Sequence, residues 1–424
     1  MNAKKQGGKG PIKKLHRVPG SRLRKQSSAS KVYPRHAVDH EDNAWLKTKV
    51  RKINEALDRD PVDVDCLRKL ALSEYGFVTD DIRCRVWPKL LNVNIFNLPK
   101  RSRADIEQKE FRKNKYFQQV KLDIDRSQRR FPSGTRASRR RVLQDQLTNI
   151  IMRTLCRNPE LHYYQGYHDV AVTLLRVVGE DLAMALLEQL SLHHIRDFMD
   201  VNMERTNKML ALIHPILSKM DISLAAFIQS AEVGQIFALS WLITWFGHNL
   251  ERFSVIVRLF DVFIATNPFM PIYVGAAIIE SDVENVMELD CEMSTVHSYL
   301  SKLPNGLILE ETEYIISKAY RTYLQYPPNI LQRTAKYIVS QSSSASSHKQ
   351  LVERSMMQKP DTLLRKRTRL RNFISDEPKQ SAGFEEVLEK DGKGNQIVKL
   401  AVWTLSISIG AMTFLVLNAA KKWI

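Results

Sequence analysis

The four cysteines of this 424-residue chain, Cys66, Cys84, Cys156 and Cys291, have no paired spacing. That excludes a disulfide framework and leaves no zinc pattern. The histidine groups His193-His194 and His162 with His168 lack the Cys or His-Glu neighbours of a metal site. No G-x-x-x-x-G-K-[ST] loop, G-x-G-x-x-G fingerprint or G-x-S-x-G elbow occurs, so neither a nucleotidase nor an esterase of the usual kinds is expected. Alternating strand patterns are scarce. The first thirty residues have no apolar core, and no secretory leader is expected there.

With 44% hydrophobic and 8% aromatic residues, the chain can bury a large core in one big domain or two. The net charge of +18 is unevenly spread: residues 1 to 36 hold 11 Lys or Arg and no acid, and residues 331 to 399 hold 14 basic and 8 acidic residues. A basic tail beside a near-neutral body suits an anionic surface. Few aromatics are interleaved with this charge, which argues for lipid headgroups and against nucleic acid. Residues 1–43 read as a flexible, disordered basic tail, and the alternative to lipid contact is that this tail is merely solvated.

From Ala44 onward, apolar residues recur at three and four spacing, as in Leu143, Leu147, Ile150, Ile151 and Leu155, so the body over 44–335 reads as all-α. Ile236 to Phe246 is too short to span a membrane and fits a buried core helix. Gln341 to Ser347 is almost all serine and reads, with the basic cluster Arg365 to Arg371, as part of a flexible linker over 336–399. Leu400 to Ala420 runs 21 residues without a charge. As a helix it would be about 31 Å long, the thickness of the hydrocarbon core, and it reads as a transmembrane helix. Lys399, Lys421, Lys422 and Trp423 are the expected interfacial anchors, and the whole is expected to be a tail anchor. The dilysine is taken as an anchor here, not as a retrieval signal.

Two short patterns carry chemistry. Val120-x-x-Asp123-x-x-Arg126 sets a carboxylate and a guanidinium three apart on one helical face, where Asp123 can hold Arg126. Tyr163-Tyr164-Gln165-Gly166 precedes the apolar run Val170 to Val178 and puts Gln165 near a helix start, with Gly166 permitting close backbone approach. A guanidinium matches phosphate oxygens, and a neutral carboxamide can both accept from and donate to an attacking water. On spacing alone, Arg126 reads equally as part of the solvated basic run Arg126 to Arg130, and Gln165 as a turn residue.

Three segments in order, Arg83-Cys84-Arg85-Val86-Trp87, Val120 to Arg126 and Tyr163 to Gly166, resemble the R-x-x-x-W, I-x-x-D-x-x-R and Y-x-Q-G motifs of TBC-domain GTPase-activating proteins for Rab GTPases. Trp241 to Phe246 and Arg258 to Phe263 are similar to later helical signatures of that domain, and the resemblance covers roughly Gly76 to Leu324. The Gly-x-Pro turn that often precedes the first motif is replaced by Phe77-Val78-Thr79-Asp80-Asp81. There Thr79 can cap a helix, and the two aspartates favour its positive end.

The resemblance implies an all-α TBC-type domain that is not itself an enzyme but completes the catalytic site of a partner Rab. Arg126 would be the arginine finger and Gln165 the glutamine finger, with Asp123 and Tyr163 orienting them. Arg83 and Trp87 would be structural, Arg83 held by a carboxylate that the sequence does not identify. GTP and magnesium would belong to the Rab, with no cofactor of the chain's own. The transmembrane helix is similar to that of the family's endoplasmic-reticulum-anchored member. It implies a cytosol-facing domain on that membrane, acting on Rabs of the early secretory pathway. The alternative is a membrane-anchored Rab-binding scaffold without catalysis.

Overall fold

The computed structural model describes residues 42–100, 104–127, 131, 134–331 and 333–375, and every regular element among them is helical. The chain divides into two compact units, Met1–Thr362 and Leu363–Ile424. In the second, the described residues are the helical segment that ends at Ser375. Residues 1–41 and Leu400 to Ala420, expected as a basic tail and a membrane span, lie outside the described residues. No helix among the described residues is long and apolar enough to cross a membrane.

The first unit is organised around the helix Phe253–Ala265. Every residue from Val255 to Ala265 is buried, so this helix has no solvent face and must be surrounded. The helices Val64–Leu72 and Asp80–Leu90 pack against it, as does the long helix Leu309–Gln325. A second layer forms where Ala137–Arg157 meets Phe117–Arg126, Tyr167–Val178 and Glu180–Leu192. Because the central helix is apolar almost throughout, its two charged residues need partners within the core. Arg258 is satisfied by Glu313, at 2.6 Å from Nε and 2.8 Å from Nη2, and by the carbonyls of Ala71 and Ser73.

Asp261, fully buried, accepts from Arg83 Nη2 at 2.9 Å, Trp87 Nε1 at 2.9 Å and the Phe77 amide at 3.1 Å. The Phe77–Asp81 segment is therefore a turn shaped by this carboxylate. Gly76 has φ +51, and an added Cβ would lie 2.4 Å from Asp261 Oδ2. Val78 takes φ +64, a costly conformation for a β-branched residue. Thr79 then caps the helix Asp80–Leu90 through the Ile82 amide.

Two expectations are corrected. Ile236 to Phe246 is not one core helix: a short 3-10 turn, Ile236–Ala238, leads into the helix Leu239–Ile243. The chain then turns through Trp245 and Phe246 at φ +49 and +63. The turn lets both rings enter the core, Trp245 against Phe260 at 5.2 Å between centroids and Phe246 stacked on Trp241 at 5.9 Å.

The second correction concerns the serine-rich segment, which is not a linker. Helices Arg333–Gln341, Ser343–Ser355 and Asp361–Ser375 occupy this stretch, and Ser344, His348, Leu351 and Ser355 are buried. Asp197 supplies what the serine composition conceals. Its carboxylate accepts from Ser342 Oγ and from the amides of Ser343 at 2.8 Å and Ser344 at 3.2 Å. An anion thereby closes the positive end of the helix, and Ser342 Oγ in turn accepts from the Ala345 amide.

Beneath this helix His194 meets His348 at 4.6 Å between ring centroids. Burial pushes His193 down to about 4 and His348 down to about 3, and holds His194 well below its ordinary value. Folded imidazoles that titrate below their unfolded value of 6.5 bind fewer protons than the unfolded chain in that window. Their contribution is complete above about 6.5 and is lost as pH falls toward about 4. Burial raises Asp197, which opposes this trend, but one carboxyl faces three imidazoles. The thermal midpoint is therefore expected to fall between pH 7.5 and pH 5, with a shallower slope in His348→Leu. Asp197→Ala should cost about 2 kcal/mol, the upper range for losing a helix cap, and open residues 343–355 to limited proteolysis.

Candidate functional site

The helix Phe117–Arg126 buries Phe117, Val120, Asp123 and Ile124 at spacings of three and four. Arg126, in its last turn, stays outside with its side chain 70% exposed. Ser127 ends the helix by donating its hydroxyl to the Asp123 carbonyl at 2.7 Å, satisfying one of the open carbonyls there. Asp123 is 2% exposed, and its two oxygens face different ways. Oδ1 lies 4.0 Å from Arg126 Nη1 and accepts from Gln119 at 2.9 Å, while Oδ2 accepts from Tyr163 Oη at 2.9 Å. One buried carboxylate thus joins the two sequence motifs. Burial, then the Asp123 charge, holds the Tyr163 phenol well above its ordinary range, so it remains a hydrogen-bond donor.

The second motif is a tight approach to the helix Tyr167–Val178. Tyr163, Tyr164 and Tyr167 are buried, and Gln165 between them is exposed. Tyr164 Oη donates to the Ile243 carbonyl at 2.8 Å, pinning the turn to the next segment. Gly166 has φ +109, and an added Cβ would lie 2.8 Å from Thr244 Cγ2. Both the backbone and the neighbour exclude a side chain there. The outcome is a carboxamide held by its neighbours' packing rather than by its own contacts.

Arg126 and Gln165 line one cavity of about 620 Å³, together with Asp123, Thr244 and His248. It is the place where the two patterns converge. Arg83 and Trp87 are not there; both end on Asp261 in the core. Burial alone would lower Arg83, but Asp261 and Asp80 together raise it. Sequence reasoning found the segment holding Asp261 without assigning it a partner, and it missed His168, Asp169, Thr244 and His248 at the cavity.

The helical domain thus gathers an exposed arginine and an exposed glutamine over one cavity, on buried tyrosines and a buried carboxylate. Residues 80–287 match the RabGAP-TBC family, the Rab-GTPase-TBC domain, and the chain belongs to that family. TBC1 domain family member 20 of Mus musculus is 46% identical over 382 residues, covering 90% of this chain and 92% of that protein. GTPase-activating protein gyp10 of Schizosaccharomyces pombe is 33% identical over 248 residues, 58% of this chain and 65% of that protein. The crystal structure of the Ypt/Rab-GAP domain of Gyp1p is similar in fold, with a TM-score of 0.53 at 16% identity, over 66% of this chain and 99% of that one.

The Gly166 contact generates a test. Gly166→Ala should cost roughly 2 kcal/mol, from strain at positive φ plus overpacking against Thr244, and should shift the Gln165 turn. Thr244→Ser in the same chain removes the methyl and should recover only the steric share, read as a partial return of the thermal midpoint.

Proposed function

We propose that Arg126 and Gln165 are the two groups through which this Rab GTPase-activating protein completes the catalytic site of its partner. The observation that carries this is their common exposure over one cavity while the groups that orient them, Asp123 and Tyr163, are buried. GTP hydrolysis asks little covalent work of protein groups. It asks for charge on the transferring phosphoryl and for a water aimed at phosphorus. Arg126 would supply the first, reaching into the partner from the end of its helix, and Asp123 would limit where its guanidinium points without neutralising it in the open cavity. Gln165 would supply the second, with the carboxamide oxygen accepting from the water and its NH₂ group free to donate to a neighbouring oxygen. GTP and magnesium would come with the Rab. An arginine supplied in trans is worth roughly 10³ to 10⁵-fold in rate, on the order of 4 to 7 kcal/mol of barrier.

We further infer that Leu400 to Ala420 spans a membrane and tethers this activity there. By resemblance to the family's endoplasmic-reticulum-anchored member, that membrane would be the endoplasmic reticulum, with the domain on the cytosolic side and Rabs of the early secretory pathway as partners; the uneven charge would put the basic segments in contact with anionic lipid. Since Rabs are lipid-anchored, one shared membrane raises the effective concentration of each partner for the other with no new contact.

The test is single-turnover GTP hydrolysis by a panel of purified Rabs with the full-length chain in detergent. Arg126→Ala should lose about 10³-fold of the acceleration, and Arg126→Lys should not restore it, because an ammonium lacks the planar fork. Gln165→Ala should lose most of the acceleration with an unchanged thermal midpoint. Full acceleration retained in either alanine variant would rule out the two-finger mechanism. A wild-type chain that binds Rabs and accelerates none would instead be the scaffold.

A further inference from the structure

The cavity that holds Arg126 and Gln165 also carries an imidazole on its wall. His248 follows the Trp245-Phe246 turn, its side chain is 48% exposed, and its Nδ1 lies 3.2 Å from Asp169 Oδ2. Asp169 is 1% exposed, in the first turn of the helix that Gly166 begins. A carboxylate only accepts, so Nδ1–H donates to it, and this fixes the ring with its Nε2 edge turned away from Asp169.

The backbone is fixed as well. The His248 amide donates to Thr244 Oγ1 at 3.1 Å, and the left-handed residues Trp245 and Phe246 are locked by their buried rings. Strain of this kind persists where the surroundings over-determine it. Here it delivers one half-exposed imidazole to the cavity.

His248 is also connected to the other groups of the site. Asp169 Oδ2 lies 3.7 Å from His168 Nε2, and His168 Nδ1 lies 3.3 Å from Tyr163 Oη, which donates to Asp123. A polar chain thus runs under the cavity from Arg126 through Asp123, Tyr163, His168 and Asp169 to His248. One end is the exposed guanidinium, and the other is the exposed imidazole. Both ends line the same cavity as Gln165, where a docked GTPase would meet them.

We propose that His248 is a partner-contacting residue of this site, hydrogen-bonding the GTP-loaded Rab across the cavity, and that Asp169 is its positioning residue. This rests on the cavity being where the Rab docks. An interaction made alike before and during the reaction strengthens binding and leaves the chemical step unchanged, so the readout is affinity.

The dissociation constant for GTP-loaded Rabs is measured with the full-length chain in detergent, in an Arg126→Ala background where turnover is suppressed. Adding His248→Ala should weaken binding about tenfold, as for one hydrogen bond to a charged group. His248→Gln, which keeps a donor and an acceptor, should regain most of it, with thermal midpoints unchanged. Asp169→Asn should also weaken binding, and combined with His248→Ala should add little, as for two residues acting through one contact. Unchanged affinity in His248→Ala overturns the proposal, as does a loss matched by a lower midpoint and not restored by glutamine. Hydrolysis by the wild-type chain is followed in parallel. Binding without acceleration would sink the two-finger reading while leaving the affinity comparison decisive, and binding of no Rab by any form overturns both.

Discussion

The Asp261 carboxylate is the constraint on which the first unit depends. It stands on a helix with no solvent face and takes donors from Arg83, Trp87 and the Phe77 amide at once. A buried ion pair adds little net stability when complete, but losing one partner is expensive because it strands a charge in the core. The arrangement therefore acts as a register device. Only one placement of the helix Asp80–Leu90 against Phe253–Ala265 brings the guanidinium, the indole and the turn amide to the same two oxygens, and Gly76 is needed so that the backbone can come that close. The neighbouring Arg258 repeats the principle with Glu313 and two carbonyls. Both charged residues of an apolar helix are thus spent on fixing its neighbours.

A different use of a buried carboxylate appears at the cavity. Asp123 is as well buried as the core charges, yet one of its partners, Arg126, is largely exposed. Its pairing with Tyr163 at 2.9 Å is closer than that with Arg126 at 4.0 Å. The carboxylate is held firmly from the inside and holds the guanidinium loosely on the outside. A surface ion pair of that kind contributes little to stability, and on the proposed reading the arginine would exchange it for a phosphate. Gln165 follows the same logic through packing: buried tyrosines on both sides and a glycine that no side chain could replace. Stability is invested behind the two exposed side chains rather than in them.

The all-helical class and the Asp123 link were legible because each depends on local spacing, whereas spacing left Arg126 and Gln165 ambiguous and only the ordered motifs singled them out as candidates. Three residues along a helix put Asp123 beneath Arg126 whatever surrounds them. The serine-rich stretch misled for a physical reason. Serine is a poor helix interior residue and a common linker residue, so composition favoured a flexible reading, and the decisive anion, Asp197, is well over a hundred residues away. Ile236 to Phe246 misled similarly. Its apolar run predicted burial correctly for most positions, but not that Trp245 and Phe246 would leave the helix to find Phe260 and Phe263.

By itself the sequence determined the helical periodicity, the uneven charge, the apolar stretch near residue 400 and the two chemical motifs, since all of these are properties of neighbours along the chain. The tertiary structure alone decided that Asp261 is the carboxylate for Arg83, that Asp197 turns a serine run into a packed helix, and that Asp169 and His248 share a cavity with Arg126 and Gln165. Each of these joins residues tens to hundreds of positions apart. Such pairings are set by how helices pack and by the cost of burying an unpartnered charge, and no spacing rule along the chain encodes them.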